Sequence, residues 1–386
     1  MSGHIRRRGE HSWELKFDAG VDAKTGKRLT KYHSFKGTKA DAKLKLAELV
    51  TAHAKGAYVD ASKLTVAEHV AARIDQWLAS GVTSARTSER YVELLNNQLA
   101  PHIGSKLLQK LKVADIEAWH STLRVSGRKD GKGGVSSLTI KHCHALLAKA
   151  LKDAGKHDLV ARNVAVDQGT PKVQSKEVKI LSSDQIRHLL AKLAGHKMNA
   201  PVIVAIFCGV RRGELLGLHW HDVDFDTKSL HIRTSLDETK AGGIKLKPPK
   251  TKAGIRDIAL PDIVVGALRE YRKALLEQRL ALGLGKPDGA AFVFADLDDG
   301  PRSPRIFSAE WSTLARSIGL GGIGLHRLRH THASQLIASG LDVVIVSKRL
   351  GHSNPAVTLR IYAHMFAARD DKAADAINAA LAGFGP

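Results

Sequence analysis

Between Asn163 and Lys179 the sequence offers little to bury. The only apolar side chains there are Val and Ala, set among Gly169, Pro171 and three lysines. Such a stretch reads as an interdomain linker, placed at residues 166–179. A chain of 386 residues divided in this way must build a separate hydrophobic core on each side. Hydrophobic residues are 43% of the total, enough for such cores and too many for a disordered chain.

Lys and Arg outnumber Asp and Glu by 60 to 38, a net charge of +22. An excess of this size points to a polyanionic partner, with nucleic acid first and an anionic membrane second. The membrane reading weakens on inspection. The basic N-terminus is followed by no apolar stretch, so it is no signal peptide. The apolar run from Ala200 to Val210 is too short to span a bilayer. The two cysteines, Cys143 and Cys208, exclude a disulfide framework and a multi-Cys zinc domain, and fit a reducing, intracellular setting.

Residues 1–60 read as a small unit. Trp13 to Phe17 alternates apolar and charged residues as a half-buried strand does, and Leu29 to Phe35 suits a returning strand after a turn at Thr25-Gly26-Lys27. Thr38 opens a helix to about Lys55, with Leu44, Leu46, Leu49 and Val50 as its apolar positions. The segment carries a net charge of +6, and Arg6, Arg7 and Arg8 beside a small sheet are candidate DNA contacts.

Residues 63–165 read as helical. Thr65 and Glu68 form a capping-box pattern. Ser84 starts a second helix, expected to stop at Pro101; a third begins at Val113, and a fourth runs from Ser136 to Lys152. From Ile180 onward, helices flank two alternating segments, Leu230 to Thr234 and Ile255 to Leu260, read as strands of a hairpin with a lysine-rich tip. The expected fold is therefore a multidomain α+β chain. A small N-terminal sheet-plus-helix domain comes first, then a helical domain. Residues 180–386 form a mixed, mainly helical domain with a small antiparallel sheet.

The chemistry concentrates in this last segment. Arg211 is followed by Glu214 at i+3, close enough on a helix to hold a guanidinium. His326 and Arg329 share a helix face, and Tyr362 follows His352 by ten residues. His326, His330 and His332 lack a HExxH arrangement and have no Cys pair nearby, and neither a nucleophile elbow nor a phosphate-binding ATP loop is present. Two Arg, one Lys, two His and one Tyr suggest a phosphodiester site that works without metal or cofactor. Arg forks match phosphate oxygens and stabilise the charge of a pentacoordinate phosphorus. A covalent phosphotyrosine conserves bond energy, so strands can be rejoined without ATP.

These residues resemble the tyrosine recombinase family, and among them the phage-type integrases, over about residues 178–370. Gly209-Val210-Arg211-Arg212-Gly213-Glu214-Leu215 resembles the family's first arginine box, His326-Arg327-Leu328-Arg329-His330 its His-x-x-Arg box, and Leu350-Gly351-His352 its later histidine motif. Tyr362 falls at the nucleophile's place. The resemblance implies that Arg211 and Arg329 clamp the phosphate and that Glu214 supports Arg211. It implies that His326 assists proton transfer from the nucleophile and that His352 bonds the phosphate. The general acid is Lys250 by its Lys-Thr register, or Lys252 by counting back from Arg256.

The same resemblance assigns residues 1–60 to arm-type DNA binding, 63–165 to a core-binding domain and 180–386 to catalysis. It implies double-stranded DNA at attachment sites as partner and a homotetramer on DNA, with the helix from Asp371 to Leu381 docking on a neighbouring protomer. A host DNA-bending protein, a directionality factor and a bacterial cytoplasmic setting belong to the same expectation. Two other readings stay open from sequence: a type IB topoisomerase-like enzyme, and a non-catalytic DNA-binding protein with this fold.

Overall fold

The structure is a computed structural model that describes residues 3–21, 26–54, 58–173, 179–295, 299–366 and 370–382. It divides into two compact units, residues 1–174 and 175–386.

The first unit opens with an antiparallel sheet of β1 (Gly3–Gly9), β2 (Ser12–Val21) and β3 (Arg28–Lys36), backed by α1 (Lys39–Ala54). Leu15 and Phe17 point to the helix and meet Ala42 and Leu46 in a small core. β1 was not expected, because three consecutive arginines hide any alternation. Thr25, the first residue of the expected turn, lies outside the described residues together with 22–24. Leu44 is exposed rather than buried, since α1 turns only Ala42 and Leu46 fully inward.

The helices α2 (Val66–Ala79), α3 (Ala85–Leu94), α4 (Val113–Ser126), α5 (Ser137–Lys156) and α6 (Val164–Gln168) surround a second core built on Val70, Ile74, Trp77, Leu99, Trp119 and Leu147. Thr65 and Glu68 form the reciprocal capping box read from the sequence. Pro101 does not stop the second helix. The chain continues from α3 into a π-helical stretch, Leu95–Gly104, that contains Pro101. Wider i→i+5 turns accommodate a ring that lacks an N–H and would clash in an α-helix. α5 runs one turn beyond the expected Lys152. α6 occupies the beginning of the expected linker, because Val164 and Ala165 are buried in the helical core; residues 174–178 lie outside the described residues.

The second unit begins with α7 (Ser183–Leu193), capped by Ser182, then α8 (Asn199–Cys208) and α9 (Arg212–Leu216). Strands β4 (Val223–Asp224), β5 (Ser229–Ile232) and β8 (Arg256–Ala259) make one antiparallel sheet, in the order β4-β5-β8. Between β5 and β8 lies a separate hairpin, β6 (Ser235–Thr239) with β7 (Gly243–Lys247). The lysine-rich stretch is thus no simple tip: half of it is β7, and the rest is the return to β8. Helices α10 (Asp262–Ala281), α11 (Pro304–Ser317), α12 (Leu325–Ala338), α13 (Val343–Leu350), α14 (Pro355–Phe366) and α15 (Asp370–Leu381) complete the unit. α8 is buried almost all round within the main core, as its uninterrupted apolar sequence requires. No described helix is long and apolar enough to cross a membrane.

Candidate active site

The site begins where α8 stops. Gly209 takes a left-handed conformation (φ +64°), and a Cβ there would lie 2.5 Å from the His332 ring. Glycine is required on both counts. The turn presents the Gly209 carbonyl to Arg329 Nη1, which donates to it at 2.7 Å. It also sets Arg211 just ahead of α9. The Arg211 backbone N–H donates to Glu214 Oε2 (2.9 Å) and its Nη1 to Glu214 Oε1 (2.6 Å). Glu214 is buried and receives a second cation, Arg256 Nη2, at 3.0 Å. Burial alone would raise the Glu214 carboxyl; Arg256 and Arg211 outweigh it and hold the group below the ordinary carboxylate range.

The two phosphate-clamp candidates converge on one turn. Arg329 Nη2 donates to the Leu350 carbonyl at 2.6 Å, and Arg211 Nη2 donates to the next carbonyl, Gly351, at 3.0 Å. Gly351 ends α13 with φ +68°, and a Cβ there would meet the Ala253 carbonyl at 2.8 Å. The same turn presents His352, whose Nδ1 is hydrogen-bonded with Thr358 Oγ1 at 2.7 Å. Burial first, then the charges of Arg329, Arg211 and Arg256, push His352 down to about 4. Burial and the neighbouring Arg211 push Arg329 down to about 9, which leaves it charged at neutral pH.

His326, Arg329 and His330 fall at i, i+3 and i+4 on α12. The His326 and His330 rings meet edge to face, with centroids 4.7 Å apart. Tyr362, on α14, is 2% exposed and packs with Ala333, Ile337, Val346 and Leu350 in a small core of its own. Its hydroxyl lies 2.6 Å from His330 Nδ1. Burial pushes the phenol well above its ordinary value, with Arg329 opposing. Among the described residues His326 makes no hydrogen bond to Tyr362; His330 stands at that position.

Lys250 and Lys252 are both exposed, on the loop from β7 to β8. Among the described residues neither pairs with the arginine cluster. The loop itself is tied down: Arg256 Nη1 donates to Gly254 O (3.0 Å) and its Nε to Arg349 O (2.7 Å). A cleft of about 610 Å³ opens beside the arginines, lined by Arg211, Arg212, Ser308, Gly324 and His326. Arg211 and Arg256 bear on both Arg329 and His352, with Glu214 opposing them at Arg329. The cluster is therefore strongly cationic and suited to an anion that can take several N–H donors at once.

Arg211, Glu214, His326, Arg329, His352 and Tyr362 are brought together; Lys250 is not in contact with them. Arg6, Arg7 and Arg8 lie in the other unit and divide between faces of the sheet. Arg6 and Arg8 occupy the face away from α1, with Arg8 paired to Glu14 at 2.7 Å. Arg7 bonds the Gly9 carbonyl at 3.2 Å. Sequence reasoning missed Arg256 and His330. His330 carried a usable signal, since it lies one turn after His326. Arg256 served there only to count a register. Elsewhere in the unit, His219, His221 and Asp222 hold their ligand atoms within 4.8 Å of one another. Asp222 also caps its own turn by accepting from the His219 backbone N–H at 3.0 Å.

Residues 179–369 match the model of the phage integrase family. The chain is 26% identical to a tyrosine recombinase XerC-like protein of Caldanaerobacter subterraneus subsp. tengcongensis, across 96% of this chain and 97% of that one. The chain belongs to the phage integrase family, the tyrosine recombinases. As a member, it is a site-specific DNA recombinase. An integrase of Streptomyces ambofaciens is 28% identical over 91% of this chain and 88% of its own length. The fold of this recombinase is shared by the Tn1549 transposon integrase bound to transposon right end DNA (TM-score 0.67, 22% identity, 82% of this chain and 99% of that one). It is also shared by a lambda integrase dimer bound to a core site (TM-score 0.57, 15% identity, 92% and 93%).

Proposed function

We propose that this recombinase cuts and rejoins DNA through a 3′-phosphotyrosine at Tyr362, integrating or excising a phage or other mobile element at attachment sites. The observation that carries this reading is the convergence of Arg211 and Arg329 on the adjacent carbonyls of Gly351 and Leu350. That arrangement leaves the remaining N–H groups of both forks for one phosphate. Arg211 and Arg329 hold the non-bridging oxygens, Glu214 fixes Arg211, and His352 donates to the phosphate. His326 assists proton transfer from the nucleophile through the ring of His330. Lys250, swung in from its loop, protonates the departing 5′ oxygen. The guanidiniums supply the cationic charge that a metal supplies elsewhere, so cleavage is expected to persist in EDTA without nucleotide.

Residues 63–165 would grip the core site and residues 1–60 a separate arm-type site, with Arg6, Arg7 and Arg8 on the DNA. A lambda integrase tetramer bound to a Holliday junction shares the fold (TM-score 0.54, 16% identity), which supports a homotetramer on DNA. In α15, Ile377 and Leu381 are exposed and suited to a neighbouring protomer. A host DNA-bending protein, a directionality factor and a bacterial cytoplasmic setting complete the reading. A suicide substrate tests it: the native chain should form a covalent DNA adduct, and Tyr362→Phe should bind the same DNA and form none. An adduct with the Phe variant would overturn the assignment.

A further inference from the structure

We propose that His330 is a catalytic residue of this recombinase: its Nδ1 takes the phenolic proton of Tyr362 as the phenol attacks DNA, and returns it on rejoining. The inference rests on the reading of Tyr362 as the nucleophile.

The geometry is direct. His330 Nδ1 lies 2.6 Å from the Tyr362 hydroxyl, within the reach needed for proton transfer without an intervening water. Among the described residues no other side chain is hydrogen-bonded to that hydroxyl. The His326 ring, edge-on to His330 at 4.7 Å, keeps the imidazole from turning away. α12 delivers both Arg329 and His330, so the group that holds the phosphate and the group that faces the phenol are consecutive residues on one helix.

Protonation states agree with the geometry. Burial, then His326, Arg329 and Arg327, hold His330 down to about 4, so the ring is neutral at neutral pH. A neutral ring protonated on Nε2 has a bare Nδ1 and accepts the bond from Tyr362. So weak a base leaves the buried phenol intact at rest. A phosphate bound at Arg329 offsets one of the charges that depress His330, so substrate itself raises the basicity of the ring.

The step balances. The Tyr362 O–H bond breaks and its proton moves to His330 Nδ1. The oxygen's electron pair forms the O–P bond, the P–O5′ bond breaks, and the 5′ oxygen leaves with a proton from Lys250. Rejoining runs every transfer in reverse.

The test is single-turnover cleavage of a suicide duplex by full-length protein. His330→Asn keeps a hydrogen-bond acceptor near the position of Nδ1 but not a base. Cleavage should slow by about 10²-fold while DNA binding and the melting temperature stay close to native. Should that variant unfold, His330→Gln takes its place. Placing 3-fluorotyrosine at position 362 makes the phenol more acidic and reduces its need for a base. The gap between His330→Asn and its parent should then narrow, which a purely structural role for His330 would not produce. A native rate for His330→Asn, or a gap unchanged by fluorination, would overturn the inference and leave the phosphotyrosine reading standing. Absence of any adduct with the native chain would instead remove that reading itself.

Discussion

Arg256 Nη2 lies 3.0 Å from Glu214 Oε2, joining the strand after the lysine loop to the turn that carries Arg211. The same guanidinium donates to the carbonyls of Gly254 and Arg349. One side chain thus links the lysine loop, the first arginine turn and the end of α13. Glu214 is shared between two cations, one facing the cleft and one facing inward.

Removing the inward cation leaves a buried carboxylate half-compensated. Arg256→Ala should lower stability by about 3 kcal/mol in urea unfolding. It should also slow cleavage by about 10²-fold, because Arg211 and the lysine loop lose a common anchor. Arg256→Lys should recover part of the stability and little of the rate, since an ammonium cannot span three acceptors. Native kinetics in Arg256→Ala would show that the anchor has no bearing on the chemistry.

The lysine loop is exposed, so the general acid must be assigned by chemistry. A substrate with sulfur at the 5′ bridging position has a leaving group that needs little protonation. Lys250→Ala should be slow on ordinary DNA and nearly native on this substrate. The same rescue in Lys252→Ala, with Lys250→Ala unaffected on ordinary DNA, would move the role to Lys252.

The helical core of the first unit should be sensitive to acid. His120 and His144 are buried with ring centroids 5.2 Å apart, and His120 Nε2 and His144 Nδ1 have no hydrogen-bond partner among the described residues. Burial, then His144 and Arg124, push His120 down to about 4, and burial lowers His144. Both folded values lie below the unfolded one, so the unfolded chain binds protons first as pH falls. Stability is complete above about pH 6.5 and declines below it, by about 2 kcal/mol from His120 alone near pH 5. Urea midpoints measured from pH 7 to 4.5 should fall less steeply for His120→Leu than for the native chain. Parallel curves would exclude His120 as a source of the decline.

On the N-terminal sheet, Arg6 and Arg8 sit on the face away from α1. If that face meets DNA phosphate, replacing both with Gln should reduce the slope of log affinity against log salt by about 1 for each side chain. Cleavage of a bare core site should be unchanged. An unaltered slope on full attachment DNA would leave these arginines as solvated surface.

Local signals carried much of the fold. Thr65 with Glu68 marks a helix start because capping is settled within four residues. Pro101 misled because a π-helical stretch depends on packing around Leu99 and Ile103, which no local rule contains. The β6–β7 hairpin was hidden by lysines that read as loop. In the site, Arg211, Arg329, His352 and Tyr362 stood out through their motifs. Arg256 did not, because its partners Glu214, Gly254 and Arg349 meet only after β8 pairs with β5. His330 looked like a neighbour of Arg329 until α14 brought Tyr362 against it.

Tyr362 is buried in a cluster of five residues from α12, α13 and α14, separate from the main core of the unit. So small a cluster holds α14 far less firmly than the main core holds α8. Local opening need only separate a few aliphatic contacts and the hydrogen bonds of Tyr362 to His330 and of Thr358 to His352, well short of global unfolding. The nucleophile therefore rides on a hinged tab of the enzyme, while the residues that grip phosphate are anchored to the frame. Strand breakage can then be timed by the seating of a single helix.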